Sequence, residues 1–271
     1  MCKVIVLLMC LALAVSEGKN VTDSKVIQIL ANVIPEADTD ITKNITTKLR
    51  LPEEMYWKAH SYITNSKAFK GISFEGTVKL IDELDTWEAP EEIQRNFPYF
   101  LAGYDYEDRP VWMAEVGKYN VRKWVERGDQ DLKDLEKYCF QATVRIMKSM
   151  QAKDREGREI RQGVFVGDCE GLDMTQVAHI PTVVFVLTTA QTYRDIIAQA
   201  LGQIIVINAN YVTQIAADLA RPLAGKLMEN VEIYGTNKAK WSAELRRLLP
   251  DSVIPSWYGG SSSFKPLQLY G

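Results

Sequence analysis

Apolar residues recur every three or four positions through the first third of the chain and then condense into short unbroken runs. Val26, Ile27, Leu30, Val33 and Ile34 sit at helical spacing and stop at Pro35. Glu53 to Phe69 and Ser73 to Trp87 read as two amphipathic helices. The second has Ser73 as N-cap, Glu75 in its first turn, and Val78, Ile81 and Leu84 along it. Pro90-Glu91-Glu92 opens another short helix with proline in its first turn. Near Tyr99 the period changes. Pro98 to Tyr104 and Val111 to Val116 flank a hairpin turn spanning Tyr106 to Pro110. In the second strand Trp112, Ala114 and Val116 alternate with Met113 and Glu115, which predicts one more polar side. Leu132 to Met150 is the clearest helix, with Leu132, Leu135, Cys139, Ala142, Ile146 and Met150 on one stripe. Gly163 to Asp168 and Gln203 to Ile207 are continuous apolar runs, which predicts strands covered on both faces, as in parallel sheets with helical crossovers. Val183 to Leu187 belongs to a helix covering the first of these. A short strand runs to Gly235, and Ser261-Ser262-Ser263 opens a polar tail expected to wander. Helices first, then strands alternating with helices, predict an α/β fold.

The 271 residues suit one domain with a helical leader, and 46% hydrophobic residues are enough for a sizeable core. A formal charge of -3, with positive residues scattered and not striped, argues against a nucleic-acid partner. The N-terminus bears on the compartment. Met1-Cys2-Lys3 followed by the apolar run Val4 to Val15, with small residues at Ala14-Val15-Ser16, has the form of a secretory signal peptide, cleaved after Ser16 or Gly18. It is too short to be a comfortable membrane span. Asn20-Val21-Thr22 and Asn44-Ile45-Thr46 are glycosylation sequons, so Asn20 and Asn44 are expected glycan sites of a secreted, extracellular protein. Cys139 and Cys169 then remain, either as two buried thiols or as a disulfide that the compartment would permit.

No constellation for catalysis or metal binding emerges. The two histidines, His60 and His179, are too far apart in sequence to form a helical ligand pair. The chain has no Gly-x-Ser-x-Gly elbow. Ala220 to Lys226 lacks both the first glycine and the hydroxyl residue of a phosphate loop. Asp168 is the most tempting carboxylate, but it is better explained as a strand-end acceptor of backbone N–H groups, and Asn208 as a turn former. The expectation is a protein that is not an enzyme and carries neither metal nor cofactor.

The order of short motifs is more specific. Asp168-Cys169-Glu170-Gly171 closes one apolar strand. Tyr193-Arg194-Asp195, Ile207-Asn208-Ala209, Arg221-Pro222-Leu223 and Leu249-Pro250 with Gly259-Gly260 follow, and Asp108-Arg109-Pro110-Val111 lies upstream. This series resembles the CRAL-TRIO (Sec14-like) lipid-binding family from about Pro98 to Gly260. The resemblance implies a mixed, mostly parallel sheet flanked by helices, an N-terminal helical region, and an apolar ligand cavity under a gate helix. The segments follow as 1–16 signal peptide, 17–97 shortened helical region, 98–260 lipid-binding domain and 261–271 flexible tail. By the same resemblance the gate runs from about Tyr211 to Leu223, with Val212, Ile215, Ala216 and Leu219 on one face and Ala217, Asp218 and Arg221 elsewhere. Such a helix can close on cargo or make transient contact with a membrane.

Family topology and strand parity then suggest the ligand-contacting set: Tyr104, Trp112, Ala114, Met147, Phe165, Val166, Tyr193, Ile205, Ile207, Tyr211, Ile215, Leu219 and Leu223. Phosphoinositide-binding members resemble one another in a glutamate and a lysine that here correspond to Asp195 and Asn230. The departure favours a neutral hydrophobe (a carotenoid, retinoid, tocopherol, sterol or fatty acid) bound as cargo, since an unpaired buried phosphate is costly. Two alternatives stay open: a Sec14-like phospholipid or phosphatidylinositol transfer protein acting in membrane trafficking, and an interaction module that has lost its cavity.

Overall fold

The computed structural model describes residues 49–271, with the backbone alone over residues 218–226. The apolar run at Val4 to Val15, the leading helix from Ser24, and both sequon asparagines lie outside the described residues. Helix α1 (Glu53–Thr64) is followed by a 3₁₀ turn at Lys67–Phe69, α2 (Phe74–Thr86) and α3 (Glu91–Asn96). Ser73 caps α2 by accepting the Gly76 N–H at 3.0 Å. Then come β1 (Tyr99–Tyr104), β2 (Pro110–Ala114), α4 (Val121–Arg127), α5 (Asp129–Gln151), β3 (Gly163–Asp168), α6 (Met174–Val177) and α7 (Ile180–Ala200). The last elements are β4 (Leu201–Ala209), α8 (Tyr211–Ala224), β5 (Val231–Gly235), α9 (Lys238–Leu248) and β6 (Gln268–Tyr270).

These strands form one six-stranded sheet in the order β5-β4-β3-β2-β1-β6. The four strands from β2 to β5 run parallel, and β1 pairs antiparallel with both of its neighbours. Both faces are covered, which explains the unbroken apolar runs of β3 and β4. On one face Trp112, Ala114, Phe165, Ile204 and Val206 join the core formed with α1 to α5, α7 and α8. On the other, Val111, Met113, Val164, Val166, Ile205 and Ile207 pack with Trp241 and Leu245 of α9 and with Val253, Ile254 and Tyr258. Every residue of β2 is buried, so its expected polar side does not exist: the strand stops at Ala114, before Glu115, and Met113 is covered by the α9 layer.

The N-terminal helices are fixed to the sheet domain by polar contacts. The Lys58 ammonium of α1 is buried, pairs with Asp154 at 2.5 Å and donates to the Ile160 carbonyl at 3.0 Å. Tyr62 donates its hydroxyl to the Arg161 carbonyl, and burial pushes its pKa up to about 12.

The polar tail does not wander. Leu267 donates its N–H to the Leu101 carbonyl at 2.8 Å, and residues 268–270 extend the sheet as β6. Tyr270 supplies the reason. Its ring stacks on Tyr99 with centroids 5.4 Å apart, and the Arg145 guanidinium lies over it at 3.8 Å. Arg145 also donates to the Tyr99 hydroxyl at 2.5 Å. Stacking and cation–π contacts hold a strand that serine composition alone would leave loose. Replacement Tyr270→Ala is expected to lower unfolding free energy by about 1–3 kcal/mol in denaturant titration.

Candidate functional site

Helix α5 packs on β2 and α7 on β4, so the helix-side face of β3, centred on Phe165, lies between the two helices. They are bridged by side chains. Tyr193 of α7 stacks on Phe140 of α5 at 5.0 Å, and Phe69 stacks on Phe140 at 5.5 Å from the 3₁₀ turn after α1. The Tyr193 hydroxyl donates to Glu136 Oε1 at 3.0 Å. Helix α8 packs against α7, α6 and β4. Its Val212, Ala216 and Ala217 are buried and Ile215 is half-buried. The inner face is therefore wider than expected, because Ala217 joins it.

The expected ligand-contacting residues divide. Trp112, Ala114, Met147, Phe165 and Tyr193 share the helix-side core. Tyr104 packs at its edge, donating to the Ser149 carbonyl at 3.2 Å, but it pairs with Pro110 at the amino end of β2, away from the start of α8. Val166, Ile205 and Ile207 point to the opposite face, among Trp241, Leu245 and Tyr258. Successive strand side chains alternate in direction, so no helix-side cavity can be lined by these three together with Phe165. Their place on that side falls instead to Ile204 and Val206. Tyr211 is 77% exposed at the first turn of α8, and the side chains of Leu219 and Leu223 lie outside the described residues.

The sequence motifs converge on a polar clamp at the carboxyl ends of β3 and β4. The Asp168 side chain is buried and accepts three hydrogen bonds: from the Glu170 N–H at 2.9 Å, from Asn208 Nδ2 at 2.9 Å and from the Tyr258 hydroxyl at 2.8 Å. Asn208 takes a positive φ of 53° and its Oδ1 accepts the indole N–H of Trp241 at 3.1 Å. Asn210 then caps α8, accepting the Thr213 N–H at 3.0 Å and donating to the Leu172 carbonyl at 2.7 Å. Gly171 is required by its φ of 82°, and a Cβ at Gly260 would collide with the Ile254 carbonyl. Burial, and then the Asp168 charge, push the Tyr258 hydroxyl far up, keeping it a donor.

The two positions matching the inositide signature serve as fasteners. Asp195 accepts the Lys67 N–H at 3.4 Å and pairs with Arg194 at 3.2 Å, while Asn230 donates to the Leu201 carbonyl at 3.2 Å. Each histidine ring meets a threonine hydroxyl at 2.8 Å, Thr77 for His60 and Thr182 for His179. Among the described residues no group of three or more His, Cys, Asp or Glu could hold a metal ion. Cys139 and Cys169 are separate buried thiols.

Sequence reasoning missed Glu136. It lies four residues before Phe140, seven before Thr143 and eleven before Met147, on the stripe of α5 that meets α7. Burial raises its carboxyl above the ordinary 4.5, partly offset by the Tyr193 hydrogen bond.

Two outcomes follow for folding. Asp168→Ala orphans three donors and is expected to cost more than about 3 kcal/mol of stability, whereas Tyr258→Phe removes one bond and costs about 1 kcal/mol, both read by denaturant unfolding. The raised pKa of Glu136 means that the folded state keeps a proton the unfolded chain releases. Its contribution to stability is therefore complete below 4.5 and lost as pH rises through the folded value. Glu136→Gln is expected to gain on the parent protein in melting experiments as pH is raised from the ordinary carboxyl value of 4.5, and a constant difference would contradict this.

Comparison with known proteins agrees with this architecture. "Protein real-time" of Aedes aegypti is 20% identical over 186 residues, which make up 68% of this chain and 28% of that protein. The chain thus spans less than a third of that relative's length. The crystal structure of Sfh5 superposes with a TM-score of 0.51 at 11% identity, covering 84% of this chain and 85% of that one, a likeness of fold. Residues 94–260, more than half the chain, match the CRAL/TRIO domain, and the protein belongs to that family.

Proposed function

We propose that this protein is a carrier that holds one lipophilic small molecule on the helix side of the sheet, between α5 and α7, and releases it past α8. The observation that carries the proposal is the CRAL/TRIO match together with the position of β3, whose helix-side residues face the interval between two helices bridged mainly by aromatic side chains. Burying a hydrocarbon there gains about 0.8 kcal/mol per CH₂ removed from water, so an alkyl chain or ring system supplies its own drive. The neutral character of the cargo is supported by Asp195 and Asn230, whose side chains are engaged by neighbours where inositide binders carry a glutamate and a lysine.

Release requires the cover to move. Four exposed apolar side chains, Met174, Ile180, Val184 and Tyr211, sit on the mutually packed elements α6, α7 and α8. A membrane could accept this rim while α8 swings away. Among the described residues no helix is long and apolar enough to cross a membrane. Export from the cell is part of the proposal and rests on the Val4 to Val15 run and the two sequons. It is tested by whether cleaved, glycosylated protein accumulates in the medium. Carriage without catalysis is likewise part of it.

Purification from the native source followed by organic extraction and mass spectrometry is expected to yield a lipophile in near-stoichiometric amount. Recovery of none, together with no binding across a hydrophobe panel, would sink the carrier. A recovered phosphatidylinositol would replace the neutral cargo with the phospholipid-transfer alternative. Ile215→Asp, placing a charge on the inner face of α8, is expected to slow ligand transfer between vesicles several-fold with a smaller effect on stability. Unaltered exchange would show that α8 is not the gate.

A further inference from the structure

The carrier reading leaves open which end of the cargo the protein recognises, and the bridge between α5 and α7 contains the one ingredient such recognition needs. Glu136 stands on the apolar stripe with Phe140, Thr143 and Met147, beside a tyrosine ring that is itself packed by Phe140 and Phe69. Its Oε1 accepts from Tyr193, and no hydrogen bond or ion pair to Oε2 occurs among the described residues. Of the cations near it in sequence, Lys137 pairs with Glu83, Arg127 pairs with Glu92 and Asp131, and Lys133, one turn away, makes no ion pair with Glu136 among the described residues. Glu136 is half-buried, and a carboxyl with one hydroxyl partner and no ion pair among the described residues gains less here than an apolar pair would by packing. The arrangement does serve a ligand that brings a donor.

We propose that Glu136, positioned by the Tyr193 hydroxyl, is the polar anchor of the lipophile site and selects cargo whose polar end donates a hydrogen bond, an alcohol or an amine, over cargo ending in a carboxylate or phosphate. Oε2 accepts from the incoming O–H or N–H. The Tyr193 bond fixes the carboxyl plane, so the acceptor direction is set before the ligand arrives. A ligand carboxylate would set two acid groups against each other, and one would have to take up a proton to stay. A plain hydrocarbon would leave the carboxyl buried with no further partner. This proposal rests on the carrier reading and narrows its ligand class.

The test uses the full purified chain and displacement of the fluorescent hydrocarbon diphenylhexatriene by a matched series: dodecanol, dodecylamine, dodecane and dodecanoate. Dodecanol, dodecylamine or both are expected to displace the probe at concentrations about tenfold lower than dodecane and dodecanoate, the worth of one good hydrogen bond. Glu136→Met is expected to collapse that ratio to parity. Glu136→Gln keeps an acceptor and should retain the preference for dodecanol while losing any preference for dodecylamine. Preference for the amine alone would assign a lipophilic base, and preference for the alcohol a neutral lipid alcohol. Equal displacement by all four, or a preference surviving in Glu136→Met, overturns the anchor and leaves the carrier standing. Failure to take up diphenylhexatriene, with no binding of any of the four, overturns both. Should Glu136→Met fail to fold, the parent series and Glu136→Gln decide alone.

Discussion

The carboxylate of Asp168 ties the carboxyl end of the sheet together. Its three acceptor contacts come from the loop after its own strand, from the end of β4 and from the closing turn near the C-terminus. Everything that positions the candidate site starts from these points. The loop after β3 leads into α6 and α7. Asn208, held by Asp168 and by Trp241, turns the chain so that Asn210 can cap α8. Tyr258 brings the far layer, with α9, against the back of the same strands. Because the group is buried and accepts three donors, its loss would loosen both layers together, not one loop alone.

This arrangement divides labour between the faces of the sheet. The α9 layer packs Val166, Ile205 and Ile207 into a compact back, while the helix side is built from separate helices joined through side chains. Binding and release require parts that can shift without unfolding the whole, and such parts are drawn from the less densely tied regions of a structure. In the proposed carrier that part is the side carrying α8, a helix anchored at its start by Asn210 and lying against α6 and α7.

Much of this was legible in the sequence, for identifiable reasons. The strand and helix order followed from the change in hydrophobic period, and β3 came out with its observed limits because Gly163 and Asp168 bracket an apolar run. The motif series pointed to the family because each motif meets a geometric demand: Gly171 a positive φ, Asn208 a turn, Gly260 a close approach. What failed was parity. A strand apolar on both sides carries no alternation to show which residues face which layer, so Val166, Ile205 and Ile207 were grouped with Phe165 although they face the α9 layer, and Ile204 and Val206, which share its face, were left out. The tail was misjudged for the opposite reason: three serines hid the single tyrosine that fixes it. Glu136 was invisible because it stands among charged residues in a helix that also has an exposed face. Only its spacing to Phe140 and Met147 could have flagged it.

The closing strand has an effect beyond its own packing. A sheet border exposes unpaired backbone donors and acceptors that invite a second chain to dock. By pairing with Tyr99, Phe100 and Leu101, β6 covers the first half of the six-residue β1 and replaces that stretch of border with a strand of three residues. Its neighbour Lys265 is charged, and Pro266 can offer no N–H. The sheet thereby presents this margin as a short, interrupted hem, which disfavours backbone pairing with other copies of the chain.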